Sequence, residues 1–84
     1  MYSILIKNFV AKLTHEDIVS FSKNNNITLT NNEVNYLYNT IKKDYQLILN
    51  GDKIVFDNLK NNISSNNYDR IISLYNHYKS VYNI

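Results

Sequence analysis

The sequence predicts an all-α protein, a small single-domain bundle of four or five short helices that spans residues 1–84. Two observations lead to this prediction. The chain has no proline and a single glycine, Gly51, so few residues interrupt its periodic segments. Its apolar residues recur every three or four positions, which is the spacing of one helix face. With 44% hydrophobic residues, the chain can also form a core of its own.

The first two predicted helices meet at Thr14. Before it, one helical face of residues 2–13 carries Tyr2, Leu5, Ile6, Phe9, Val10 and Leu13. Thr14 provides a hydroxyl N-cap for the second helix, and Glu16 and Asp17 follow in its first turn. Negative charge at that position complements the helix dipole. The second helix is predicted to end in the run of three asparagines that follows.

The third helix has the most regular pattern in the chain. Thr30 and Glu33 form a capping box, in which the hydroxyl and the carboxylate each accept a hydrogen bond from the other residue's amide. Val34, Leu37 and Ile41 follow at strict helical spacing. We therefore predict a long helix from residue 31 onwards.

Residues 45–56 allow two structures. Asn50 and Gly51 lie between two apolar triplets, at residues 47–49 and 54–56, which is the pattern of a β-hairpin with a two-residue turn. An isolated hairpin is only marginally stable, and no third strand is apparent in the sequence. In the alternative, which we favour, Asn50 is the N-cap of a fourth helix with Val55 and Leu59 on its apolar face.

The last helix is predicted to begin at Ser64 or Ser65 and to have an unusually wide apolar face. The residues of that face are Tyr68, Ile71, Ile72, Leu74, Tyr75, Tyr78, Val81 and Tyr82. Such a face indicates either a helix packed deeply in its own domain or one that meets another chain. The core is predicted to consist of Leu5, Phe9, Ile18, Phe21, Ile27, Leu29, Val34, Leu37, Ile41, Leu59, Ile63, Ile71, Leu74 and Tyr78.

The composition argues against an enzyme, a metal site or a bound cofactor. The chain has no cysteine and too few glycines for a phosphate-binding loop. Its two histidines, His15 and His77, fall on predicted polar surface, and no set of nucleophile, base and orienting group can be assembled around either. We therefore expect a non-catalytic protein without metal or cofactor.

Charge and hydropathy limit the partners and the location. The net charge of +2 is too balanced to indicate nucleic acid or an anionic membrane as a partner. The N-terminus lacks the basic segment of a signal peptide, and no stretch approaches the roughly 20 apolar residues of a membrane span. We therefore expect a cytoplasmic protein.

Two surfaces are candidates for binding. The first is the tyrosine-rich side of the last helix, with Tyr75, Tyr78 and Tyr82 as the candidate protein interface. Tyrosine buries a large ring at low entropic cost and keeps a polar tip, so protein interfaces favour it. The main functional hypothesis is therefore a protein-interaction domain that binds a protein partner or a second copy of itself.

The second candidate surface is the outer face of the third helix. Its residues are Asn32, Tyr36, Asn39 and Lys43, opposite the apolar stripe. Asparagine can read adenine, tyrosine can stack on a base, and lysine can hold a phosphate. Nucleic-acid binding through this face is the alternative hypothesis.

Part of the chain resembles a known family. The segments at residues 13–18, 21–23 and 26–30, together with Glu33, read LTHEDI, FSK and NITLT followed by the glutamate. They resemble the YqfT-like proteins, short uncharacterised helical proteins of low-GC Gram-positive bacteria. The resemblance is specific over about residues 13–42 and implies an all-helical fold and a bacterial cytoplasmic source. It implies no activity and no functional residue.

Overall fold

The chain folds into five α-helices in a computed structural model that describes the backbone of residues 2–82 and the side chains of residues 4–81. The all-α prediction is confirmed, and the described residues contain no β-strand. The helices are α1 (Tyr2–Lys12), α2 (His15–Asn24), α3 (Asn31–Leu49), α4 (Lys53–Asn62) and α5 (Ser65–Tyr82).

The predicted N-caps of α2 and α3 are confirmed. The amide of Asp17 donates to Thr14 Oγ1 at 3.1 Å, and the amide of Thr14 donates back to Asp17 Oδ2 at 3.0 Å. Thr30 and Glu33 form the same reciprocal pair, at 2.9 and 3.1 Å. Each pair satisfies amides that have no partner within the helix, and so fixes the residue at which the helix begins.

The hairpin considered for residues 47–56 is wrong, and the favoured helix is confirmed. A two-residue hairpin turn of the favoured type needs positive φ at both central residues. Gly51 has a φ of 69°, but Asn50 has a φ of −83° and caps the C-terminus of α3. The N-cap of α4 is Asp52 rather than Asn50, since the Val55 amide donates to Asp52 Oδ2 at 3.1 Å.

α2 and α3 end in the same way. The residue after each C-cap has positive φ, 61° at Asn26 and 69° at Gly51. The next amide then reaches back to the last turn, from Ile27 to the Ser22 carbonyl at 2.8 Å and from Asp52 to the Leu47 carbonyl at 2.9 Å. These are Schellman motifs, which satisfy carbonyls that the helix leaves unpaired.

α3 is the central helix. It packs against α1, α2 and α4, and α5 packs against α4. The buried apolar side chains are Val10, Leu13, Ile18, Ile27, Val34, Leu37, Val55, Leu59 and Ile63. The radius of gyration, 12.2 Å, is close to the roughly 12 Å expected for a compact chain of this length.

Four residues predicted in the core are exposed: Leu5, Phe9, Phe21 and Tyr78. The reason is clearest for the first two. α1 packs on α3 through the stripe that ends in the buried residues Val10 and Leu13, and the neighbouring stripe of Leu5 and Phe9 has no helix over it. The core is therefore open on one side.

A buried carboxylate joins the start of α3 to the start of α5. Besides the Thr30 amide, Glu33 accepts hydrogen bonds from the Ser64 amide at 2.8 Å and from Asn67 Nδ2 at 3.1 Å. Asn67 Nδ2 also donates to the Thr28 carbonyl at 2.9 Å. Burial raises the pKa of Glu33, but these hydrogen bonds stabilise the anion and bring the pKa below its ordinary value.

Candidate protein-binding groove

An apolar groove of about 440 Å³ opens on the uncovered side of the core. Its floor includes Leu37 and Ile41 of α3, and its walls are α1 with α2 on one side and α5 on the other. Fifteen residues line it, of which three are neither aliphatic nor aromatic: Asp17, Ser22 and Lys79. The chemistry of the groove is that of a protein interior, although it faces solvent.

The position of α5 leaves the groove open. Hydrogen bonds hold the first half of the helix, where Asn67 binds the α2–α3 loop and Arg70 donates to the Asn26 carbonyl at 3.2 Å. Farther along, Tyr75 Oη donates to the Ile48 carbonyl at 2.6 Å, near the end of α3. These contacts hold α5 beside the core, in a position in which it does not cover the apolar surface of α1 and α2.

Aromatic side chains form the rim of the groove. Phe9 is 64% exposed, Phe21 is 47% exposed and Tyr78 is 38% exposed. The rings of Phe21 and Tyr78 approach across the groove, with centroids 6.0 Å apart. Exposed aromatic residues that meet around a concave apolar surface are typical of a binding site.

The apolar surface continues beyond the rim. On α1, Leu5 lies one turn before Phe9 on the same face and is 64% exposed. On α5, Val81 lies one turn after Tyr78 and is 59% exposed. The surface is therefore longer than the groove and runs along two helices.

The structure places two of the three predicted interface tyrosines in the groove. Tyr75 is half-buried, and its ring also packs on Phe56 with centroids 5.1 Å apart, so it holds α5 in place as well as lining the wall. Tyr78 stands at the rim. The side chain of Tyr82 lies outside the described residues.

Phe9 and Phe21 stand exposed at the rim of the groove, although the sequence pattern predicts both in the core and neither in the interface. For Phe9 the sequence holds a signal, because α1 carries two adjacent apolar stripes and one neighbouring helix covers only one of them. The sequence does not show which stripe packs inward. That depends on the position of α3.

Three of the four residues of the candidate nucleic-acid face lie on the exposed side of α3. Asn32, Asn39 and Lys43 are exposed, but Tyr36 is half-buried and packs against the core. The adjacent Lys42 points to α1, where its Nζ donates to the Val10 and Ala11 carbonyls at 2.7 and 3.0 Å. Nucleic-acid binding stays a prediction, with Lys43 as the one exposed cation among the four residues.

Both histidines are exposed, as predicted, but each contacts a tyrosine ring. His15 stacks on Tyr38 with ring centroids 3.8 Å apart, and His77 meets Tyr78 edge-on at 5.4 Å. Among the described residues, no group of three or more histidine, cysteine, aspartate or glutamate side chains could hold a metal ion. Over the same part of the chain, no helix is long and apolar enough to cross a membrane.

Comparison with protein-family models, curated proteins and solved structures found nothing that matches the chain. The resemblance to the YqfT-like proteins therefore stays a prediction.

Proposed function

We propose that this protein is a non-catalytic protein-interaction domain whose binding site is the apolar groove between α1–α2 and α5. The observation that carries the proposal is the aromatic rim, in which Phe9, Phe21 and Tyr78 stand exposed around a concave apolar surface. Covering each of these partly exposed rings would contribute roughly 1–2 kcal/mol to binding.

The extent and polarity of the surface favour a protein over a small molecule. A small-molecule site combines an apolar pocket with a few polar groups that orient the ligand. Of the three polar side chains that line the groove, Ser22 is buried and donates to the Ile18 carbonyl at 2.7 Å, which leaves two charged side chains, Asp17 and Lys79, in an otherwise apolar lining. The apolar surface also extends along α1 and α5 to Leu5 and Val81, a length that suits the apolar face of a helix.

Site-specific photo-cross-linking tests the proposal. A photoreactive phenylalanine analogue replaces Phe21 at the rim, and in a matched variant it replaces Ile54 of α4, which is 70% exposed and does not line the groove. Irradiation of cells that produce each variant is expected to give a discrete protein–protein product from position 21 and none from position 54.

A second substitution makes the test specific to the groove. With the photoreactive analogue at Phe9, Tyr78→Asp places a charge in the apolar rim and is expected to abolish the product. The proposal is wrong if position 21 gives no product, or if positions 21 and 54 give the same products.

A further inference from the structure

We propose that the groove binds a second copy of this chain, face to face, about a two-fold axis that runs along the groove. This inference rests on the proposed function, because it names the occupant of the same site. Two charged side chains line the groove, and the direction of its walls determines where these charges meet in a dimer.

The two charges lie on opposite walls at the same end of the groove. α2 and α5 run in opposite directions, since Arg70 near the start of α5 contacts Asn26 just after α2, and Tyr78 near the end of α5 contacts Phe21 farther back in α2. The start of α2 and the end of α5 are therefore neighbours. Asp17 and Lys79 lie at this end, on facing walls.

Within the part of the chain that the structure describes, neither charge has an ionic partner. The ion pair found among the described residues joins Lys53 to Asp57 on α4. The Thr14 amide occupies Asp17 Oδ2, which leaves Oδ1 to accept from a lysine. Lys79 Nζ lies 5.6 Å from the centroid of the Tyr75 ring, a contact that leaves the ammonium able to donate.

A two-fold axis along the groove satisfies both charges at once. The axis places the α2 wall of one copy opposite the α5 wall of the other, so that Asp17 meets Lys79 of the second copy and Lys79 meets Asp17 of the second copy. Such an interface is isologous: the same patch serves both molecules. A patch with one anion and one cation on opposite walls is complementary to itself in this orientation.

The apolar residues fit the same arrangement. Phe9 and Phe21 stand on the α1–α2 wall, and Tyr78 stands on the α5 wall. Because Phe21 and Tyr78 face each other at the same level of the groove, the axis brings Phe21 of each copy against Tyr78 of the other, where aromatic rings pack favourably edge to face. The net charge of +2 gives little long-range repulsion between two copies.

Sedimentation of the purified full-length chain over a concentration series tests the inference. We expect a reversible dimer. D17K and K79D should each weaken it at least about tenfold, because each substitution places like charges together at both symmetric contacts. E16K is the matched control, since it makes the same change of charge at the neighbouring exposed residue, which does not line the groove.

Mixing the two weakened variants gives the decisive result. A D17K chain carries cations at both positions and a K79D chain carries anions at both, so both contacts of a mixed dimer join opposite charges. An equimolar mixture is expected to dimerise at least as tightly as the wild type. Because D17K also removes the carboxylate of the Thr14 capping box, circular dichroism is used to check that each variant is helical, and K79D leaves that box intact.

Three outcomes would overturn the inference: a wild-type chain that stays monomeric at every concentration, a dimer that tolerates both charge reversals, or a mixture no tighter than its components. A monomer whose rim still cross-links to another protein in cells would remove the second copy as the occupant and leave the proposed function standing. A monomer without groove-specific cross-links would overturn both.

Discussion

Glu33 joins the start of α3 to the start of α5 through several hydrogen bonds. Its carboxylate is buried and accepts hydrogen bonds from the Thr30 and Ser64 amides and from the side chain of Asn67. The sequence predicts the first of these contacts, because a capping box joins residues three positions apart. It does not predict the other two, because their partners are far apart in the sequence: Ser64 lies 31 positions from Glu33, and Asn67 lies 34 positions from it.

Glu33→Gln is expected to destabilise the protein by about 1–3 kcal/mol at neutral pH. The amide has nearly the shape of the carboxylate, but its NH₂ group faces donors and leaves at least one of them without an acceptor. The free energy of unfolding in urea measures the change. Glu16→Gln, at an exposed carboxylate in α2, should change it by less than about 0.5 kcal/mol. A stable Glu33→Gln variant would mean that the three donors find other partners.

The pH dependence of stability gives an independent check on Glu33. Its pKa in the folded protein lies below the ordinary value of 4.5, because the hydrogen bonds outweigh the opposite effect of burial. As pH falls below 4.5, the unfolded chain takes up the proton first, which favours unfolding. The contribution of Glu33 is therefore complete above the ordinary pKa and is lost as pH falls through the folded pKa. The difference in stability between wild type and Glu33→Gln should narrow over that range.

The helix ends show how far local sequence determines an element. The threonine N-caps could be predicted because their partners lie within one turn. The end of α3 could not be settled in the same way, since Asn-Gly suits both a hairpin turn and a helix C-terminus. Gly51 has positive φ in either case. Asn50 distinguishes the hairpin turn from the helix end. Its φ of −83° is close to helical, so the chain at Asn50 continues α3, which packs against three other helices.

Gly51→Ala is expected to cost about 1–2 kcal/mol in the free energy of unfolding. No atom lies within 4 Å of the position that the new Cβ would occupy, so the cost comes from the left-handed backbone conformation and not from a clash. Urea denaturation measures it. Asn58→Ala on the exposed surface of α4 is the control and should cause no loss, because alanine is the better helix former. Equal stability of Gly51→Ala and wild type would show that this helix end does not depend on glycine.

The molecule as a whole has more apolar surface than its five helices cover. Helical periodicity predicts which faces are apolar, and most of the residues it assigned to the core are buried or half-buried. It cannot predict how many neighbours cover each face, because that depends on where α3 and α5 come to lie. Leu5, Phe9 and Phe21 share their periodicity with the core and nevertheless stand exposed. Stability and binding should therefore depend on different apolar residues.

One buried core residue and one exposed groove residue test whether stability and binding depend on different side chains. Leu59 is 5% exposed, and Leu59→Ala is expected to cost about 2–5 kcal/mol through lost burial and the cavity it leaves. Phe21 is 47% exposed, and Phe21→Ser in the dilute protein should cost less than about 1.5 kcal/mol. A Phe21→Ser cost as large as that of Leu59→Ala would return Phe21 to the core of the monomer.

The dependence of the thermal midpoint on protein concentration also distinguishes Leu59→Ala from Phe21→Ser, because association stabilises the folded state by mass action. If copies pair through the groove, the thermal midpoint of the wild type rises with concentration. Leu59→Ala lowers that midpoint but keeps the rise, since it leaves the rim intact. Phe21→Ser loses the rise while keeping a midpoint near that of the dilute wild type. A thermal midpoint of the wild type that does not change with protein concentration would contradict dimerisation through the groove. The occupant of the groove would then be a different protein.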